Sequence, residues 1–283
     1  MTAADISRDR PRTIADAGLT IGVLLALAFV VLGFLSVLWV PYPSESFDVG
    51  AALQDPSGAH WLGTDPLGRD VLSLVMKSVL TSLVVAAVAA IIGTVIGVPL
   101  GLLSYRWPRS GAAGDALAGL LALFPPLIVA VVLATQLGAS AVVSMLAIGI
   151  GAIVPMARIA SSSMQRYSTR QYLDAAQLAG MTRWEAIRSH ALRQIVRPIA
   201  AEAVALLGIG VVWEASLSYL GLGSQAPVAS LGLILHDAQS YMAAKPLLVV
   251  IPGLVLVLMV FALTLVARGI TRRAQSEDVL GAA

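Results

Sequence analysis

The chain contains no cysteine, only two lysines among its 283 residues, and few charges of either sign. Without cysteine there are no disulfides and no thiolate nucleophile or metal ligand. Charged residues make up 12%, against roughly 25% in an ordinary soluble domain, which excludes that class. No GxxxxGK[ST] run is present, so the chain has no phosphate-cradling loop with which to hydrolyse a nucleotide itself. His60, His190 and His236 are dispersed, with no carboxylate at metal-ligand spacing and no Ser-His-Asp set. No metal site and no covalent chemistry are expected.

What is present is apolar. Hydrophobic residues reach 58% and the mean hydropathy is +0.87. Six stretches are long enough to cross a hydrocarbon layer of about 30 Å at about 1.5 Å per residue. They are Gly18–Val40, Val79–Leu103, Ala116–Leu137, Ala139–Ala157, Ile199–Leu220 and Leu247–Ala267. An all-α polytopic membrane protein with six transmembrane helices is expected, with both termini on one side. The first stretch is too long for a signal peptide's apolar core and no clear cleavage pattern follows it, so it reads as an anchor.

Basic residues fix the orientation. Fifteen of the 18 fall before span 1, between spans 2 and 3, between spans 4 and 5, or after span 6. The positive-inside rule therefore places both termini and the 158–198 loop in the cytoplasm. Arg69, Lys77 and Lys245 fall on the outer side. The expected division is a cytoplasmic segment 1–17, a membrane domain 18–268 with outer loop 41–78 and cytoplasmic loop 158–198, and a tail 269–283. The basic loop is spread along helices and not clustered, which argues against nucleic acid.

The outer loop is rich in Pro, Gly, Ser and Asp, and a short helical turn is expected to begin at Asp65 with Pro66 in its first turn. Gly93, Gly97 and Gly101 lie at four-residue spacing on one face of span 2, which suits close helix packing. "FPP" at 124–126 interrupts span 3 and Pro155 interrupts span 4.

The cytoplasmic loop carries "YSTRQYLDAAQLAGMTRWEAIRSHALRQIVRPI". Ser168 with Gln171 is a capping-box pattern, and Gly180 is the expected stop of a helix of about ten residues. Thr182 with Glu185 repeats the box. A second, amphipathic helix follows, with Trp184, Ile187, Ala191, Leu192 and Ile195 near one stripe, until Pro198 opens span 5. On residue chemistry alone Asp174, Ala175 and Ala176 fit two readings: an anionic, small-residue knob onto which a partner closes, or a solvated helix whose alanines serve propensity.

This stretch resembles the "EAA" coupling segment of ABC importer permeases. "HWLGTDPLGRDVLS" at 60–73 and "WEASLSYLGLGSQAPVASLGLIL" at 213–235 are similar to the dipeptide/oligopeptide/nickel branch of that family, as are "FPPLIVAVVLATQLG" and "PLLVVIPGLVLVL". Asp174 stands where Glu is commoner, keeping the charge on a shorter arm. Arg193 replaces a usual Leu-Pro pair, and the last span lacks the usual Asn and Asp. The resemblance implies a type I ABC importer permease fold and a non-catalytic membrane subunit in a bacterial inner membrane. Asp174, Ala175, Ala176, Gly180, Thr182 and Glu185 would then dock the ATPase. It also implies a homologous second permease, two ABC ATPases that hold the ATP and Mg, and an extracytoplasmic binding protein. The chain itself carries no cofactor. Di- or oligopeptides are the expected cargo; nickel, a metallophore, haem or another small solute are alternatives on the same architecture. A secondary transporter or channel is the alternative of another class, disfavoured because only span 5 carries acids.

Those acids are Glu202 and Glu214. A carboxylate at the centre of a span costs about 2.5–3.5 kcal/mol on the insertion scale, so each should face protein or water. Twelve positions apart, they are rotated by about 120° and do not form one ligand pair. Glu202 is expected to reach water or pair with Arg197. Glu214, with Ser216, Ser218 and Tyr219, belongs to helix packing or to the translocation path. Gly63, Thr64, Asp65, Gly68, Arg69 and Asp70 form an outer motif that is either a surface for a delivering protein or loop packing over the pore.

Overall fold

The computed structural model describes residues 6–43, 48–106, 126–168, 178, 180, 182, 185 and 192–280. Apart from short turns these are helices: α1 (Ile6–Leu38), α2 (Val71–Arg106), α3 (Pro126–Leu137), α4 (Ala141–Ser168), α5 (Leu192–Tyr219), α6 (Leu231–Ala238) and α7 (Leu247–Leu280). Among the described residues no strand forms; Thr64 and Asp70 make a single isolated bridge. Helices α1, α2, α4, α5 and α7 are each long and apolar enough to cross a membrane. The shorter apolar α3 is the described part of the expected third span, whose residues 116–125 lie outside the described set.

Several boundaries differ from those expected. The outer loop ends earlier, because α2 begins at Val71 and not Val79, which puts Lys77 inside that helix. The expected helical turn at Asp65 does not form. Asp65 Oδ1 instead accepts from the backbone N–H of Leu67 (2.9 Å) and Arg69 (2.8 Å), closing a turn. The cap of α2 is Asp70, whose Oδ2 accepts from the Ser73 backbone N–H at 2.8 Å. That is the usual way to satisfy an otherwise orphaned helix N-terminus. Ser168, expected to start a new helix, is the last residue of α4, and Gln171 lies outside the described residues. Neither Pro155 nor Pro198 breaks its helix: α4 and α5 run through them, and α5 starts six residues before Pro198. Helix α7 continues past Ala267 as one helix to Leu280.

At the centre lies α2, packed most extensively on α4 and also on α1, α5 and α6. Lipid tails are as apolar as leucine, so helices associate in a bilayer by close packing and hydrogen bonding more than by hydrophobic exclusion. The glycine row of α2 meets that demand. A Cβ on Gly93 would lie 2.5 Å from Ala152 Cβ, and one on Gly97 would lie 2.6 Å from the Ile153 carbonyl oxygen. One on Gly101 would overlap the Ala157 carbonyl. Around this contact Ala90, Ala152, Met156 and Leu206 form one buried cluster. Val79, Ala86, Val211, Leu231, Met259 and Leu263 form another, where α2, α5, α6 and α7 meet. The outward faces of α1 and α7, with Leu24, Val31, Phe34, Leu254 and Val257, are exposed and apolar as a lipid-facing surface requires.

Gly97→Leu should lower the stability of the purified protein in detergent by about 1–3 kcal/mol through overpacking. Gly253→Ala, where an added Cβ meets nothing within 4 Å, should leave the thermal midpoint unchanged or slightly raised. Equal midpoints for the two variants would contradict the packing assignment.

Candidate functional site

The chemistry-bearing residues fall at three levels along the bundle. On the inner side, Gly180 sits in a turn at φ +91°, a left-handed conformation that glycine adopts without strain. Two residues on, Thr182 and Glu185 form the expected reciprocal box. The Thr182 backbone N–H donates to Glu185 Oε2 at 2.9 Å, and the Glu185 N–H donates to Thr182 Oγ1 at 3.3 Å. The Thr182 hydroxyl adds a third bond to Oε2 at 2.7 Å. The Thr182 side-chain bond first, and its backbone bond second, hold the Glu185 carboxyl below its ordinary range. Asp174, Ala175 and Ala176 lie outside the described residues.

Five residues before the end of α5, Glu214 is completely buried. Its Oε2 accepts from the Ser82 hydroxyl of α2 at 2.7 Å. Its Oε1 accepts from Ser218, one turn along α5, and from Ser230, both at 2.8 Å. Ser224 approaches Oε1 at 3.5 Å. Two of these hydroxyls also accept backbone N–H groups: Ser218 from Ser224 at 3.0 Å, and Ser230 from Gly232 at 3.2 Å as the cap of α6. The segment 221–230 thus turns back into the bundle, where Ser224, Ser230 and Leu231 have no exposed surface. A Cβ on Gly232 would overlap the Ala215 carbonyl, so α6 lands directly on the α5 backbone beside Glu214. The other two span-5 residues singled out from sequence lie apart from this cluster. Ser216 is exposed and bonds back to the Val212 carbonyl at 2.8 Å, while Tyr219 donates to Gln239 Oε1 at 2.7 Å and meets His236 edge-on.

At the outer level, Gly63 and Gly68 adopt positive φ, and a Cβ at Gly68 would overlap the Asp48 carbonyl. Thr64, fully buried, donates to the Ala51 carbonyl and accepts from the Gln54 N–H at 2.8 Å. Arg69 Nε donates to Asp65 at 2.6 Å, and its Nη2 lies 3.5 Å from Asp237 near the end of α6. Burial pushes the Asp237 carboxyl up from its ordinary value, with the Arg69 charge working against that shift. Asp70 also takes His60 Nδ1 at 3.0 Å, and the Tyr42 ring lies against His60. Five of the six outer-motif residues therefore hold the loop's own backbone or helix ends, and Arg69 reaches across to α6. No local pattern marked Ser82 or Asp237 as partners, because each is far in the chain from the group it meets; Ser224 and Ser230 lay within the 213–235 stretch but carried no periodicity pointing them at Glu214.

Between α5 and α7 lies a cavity of 830 Å³, closed on one side by Ile159 of α4 and lined by both charged and apolar groups. Glu202 is among them. Of the two expected alternatives, reaching water or pairing with Arg197, the ion pair does not form, and Glu202 makes no hydrogen bond to any described residue. Starting α5 at Leu192 sets Glu202 almost three turns into the helix, on the cavity wall, beyond that partner.

A family model described as binding-protein-dependent transport system inner membrane component matches residues 93–276. The glutathione transport system permease protein of Pectobacterium atrosepticum is 30% identical over 263 residues, covering 92% of this chain and 86% of that one. A di/tripeptide transport system permease protein of Pseudomonas aeruginosa is 30% identical, covering 88% and 85%. The nickel transport system permease protein of Escherichia coli is also 30% identical, covering 85% and 89%. In fold, a chain of the MetNI methionine ABC transporter in an inward-facing conformation superposes with a TM-score of 0.60 at 19% identity, over 71% of this chain and 96% of that one.

Replacing Glu214 by Ala should cost at least about 2 kcal/mol in unfolding experiments in detergent, because three buried hydroxyls lose their acceptor. Glu214→Gln, which keeps one acceptor oxygen, should lose less. The alanine variant should also become more sensitive to proteolysis within 221–230. Wild-type stability and protection in Glu214→Ala would remove the carboxylate from the role given to it.

Proposed function

The chain belongs to the family of binding-protein-dependent transport system inner membrane components, and on that basis we propose that it passes di- or oligopeptides through a bacterial inner membrane as the permease of an ATP-driven importer. Permeases of this family work with ATPases that hydrolyse the nucleotide and with a binding protein that delivers the solute. In the proposed arrangement ATP and Mg are bound by two such ATPases, this chain catalyses nothing itself, and a homologous second permease completes the pore. Residues 18–268 form the membrane domain with six crossings, residues 116–137 supplying the third, and both termini are cytoplasmic.

The observation that carries the mechanism is the continuity of α5. Its 28 residues run from Leu192 through Pro198 to Tyr219 without a break, a rod of about 42 Å at about 1.5 Å per residue. Its inner end follows the Gly180 turn and the Thr182–Glu185 box, and towards its outer end stands Glu214 with its ties to α2 and α6. Closure of the ATPases against the segment Asp174–Gly180 would displace the base of this rod. Force would then reach the outer segment through Glu214 without passing through a flexible joint.

Peptide cargo is supported by the glutathione and di/tripeptide permeases among the relatives. Nickel is the second reading, favoured by a nickel permease at the same 30% identity. A secondary transporter or channel is set aside by family membership.

Gly180→Leu should abolish uptake and substrate-stimulated ATP hydrolysis by the assembled complex while membrane insertion stays intact, since leucine strains the turn at φ +91°. Gly180→Asn, which tolerates left-handed backbone better, should retain part of both activities. Full uptake by the leucine variant would refute the coupling role of this turn.

A further inference from the structure

The cavity between α5 and α7 is lined by one carboxylate, Glu202, and by two guanidinium groups, Arg268 and Arg272; Glu202 and Arg268 face the same volume and do not meet. Gly208 fixes the register of the two helices: a Cβ there would sit 3.5 Å from Leu263 Cβ and 3.9 Å from the Val260 carbonyl oxygen. Six residues inward along α5 is Glu202, and an equal step along the antiparallel α7 reaches Ala267 and Arg268. Both charged side chains line the cavity, at about the same depth. Neither forms an ion pair or hydrogen bond with any described residue. A carboxylate and a guanidinium facing one volume inside membrane-crossing helices would be expected to pair if they could touch. Here the cavity keeps them apart.

Outward of this pair the walls are mostly apolar, with Ala205, Ile209 and Val212 on one side and Val260 on the other, and Thr264 adding a hydroxyl. On α5 the cavity residues 202, 205, 209 and 212 recur at three- and four-residue spacing, which places them on one stripe. Continued outward, the same stripe reaches the exposed Ser216 and Tyr219. A purely lipid-facing stripe has no use for a carboxylate at one end and a hydroxyl-bearing pair at the other. Its volume of 830 Å³ falls within the range of about 300–1,000 Å³ typical of small-molecule sites.

We propose that this cleft is a binding step on the solute's path, and that its occupant is a zwitterion whose ammonium group faces Glu202 and whose carboxylate faces Arg268. This rests on the permease reading and narrows it. A free divalent cation would meet Arg268 as a repulsive charge and gain only one carboxylate. A short peptide with free termini satisfies both groups and lays its side chains on the apolar walls. An anionic lipid headgroup would suit Arg268 but would bring its charge against Glu202.

The test uses the full complex with its ATPases, second permease and binding protein, reconstituted in liposomes. The probes are dialanine, N-acetyl-dialanine, dialanine amide and nickel ion. Wild-type complex should take up dialanine. Glu202→Gln should raise its half-saturating concentration by about tenfold or more, and Arg268→Gln should do the same, since each removes one charge-assisted contact. N-acetyl-dialanine and dialanine amide should compete with dialanine at least about tenfold more weakly in the wild type, and Glu202→Gln should not weaken the first further, nor Arg268→Gln the second. Because the chain has no native cysteine, Ile209→Cys and Thr264→Cys each give one reporter on this chain, read from its own band after separation of the subunits. A water-soluble maleimide should label both, and dialanine should protect them.

Dialanine uptake with unchanged saturation in both charge variants would overturn the cleft and leave the permease reading standing. Cysteines that stay unlabelled in a transporting complex would overturn it too, by showing that protein or lipid fills the cleft. Uptake of nickel alone would overturn both the zwitterion and the peptide reading.

Discussion

A single buried carboxylate decides how the outer half of this bundle is assembled. Glu214 has no exposed surface and gathers hydroxyls from α2, from its own helix and from the segment leading to α6. A polar group at such depth is tolerated only when its bonding capacity is met, and once met it resists any motion that would break it. The serines themselves are double-ended. Ser218 and Ser230 each donate a hydrogen bond to Glu214 and accept one from a backbone N–H, so the same carboxylate indirectly satisfies the turn at Ser224 and the start of α6. Without it, a segment with buried backbone polar groups would have no reason to turn inward.

Close packing complements that tie. The glycine row of α2 brings α4 to backbone contact, and Gly232 does the same for α6 on α5. Both contacts depend on the absence of a side chain, as expected where hydrophobic exclusion contributes little between helices in lipid. Above them Arg69 spans from the Asp65 turn to Asp237. Helix α6 is therefore held at both ends, by Ser230 and Glu214 at its start and by Asp237 and Arg69 at its finish.

Much of this could be read from the chain before any coordinates. Of the six apolar runs, five are long membrane-crossing helices among the described residues and the sixth is represented by the shorter α3, and the Thr182–Glu185 box and the Gly180 turn were visible as local patterns. Local patterns also misled. Asp65 followed by Pro66 has the look of a helix start, yet Gly68 at φ +76° folds the chain back and Asp70 takes the capping role. Lys77 and Asp70 diluted the apolar signal and delayed the expected start of α2 by eight residues. Ser218, singled out beside Glu214 in the sequence, does bond to it. Ser82 was illegible for another reason: it is 132 residues away, and no periodicity connects it to span 5. Asp174, Ala175 and Ala176 rest on their resemblance to a family motif alone, since they lie outside the described residues.

The two acids of α5 show how one helix can serve opposed requirements. Glu214 is enclosed by hydroxyl donors, so its oxygens are committed to structure. Glu202, twelve positions inward, faces an open volume with no donor of its own. The rotation of about 120° between them turns one toward the protein interior and the other toward the cavity. The helix is consequently tied by hydrogen bonds near one end, while its other half is held by apolar packing of Ile195, Ala201 and Leu206. In the arrangement proposed above, that packing can slide where the serine cluster cannot, so displacement of the base of α5 would be handed to α2 and α6 together at Glu214.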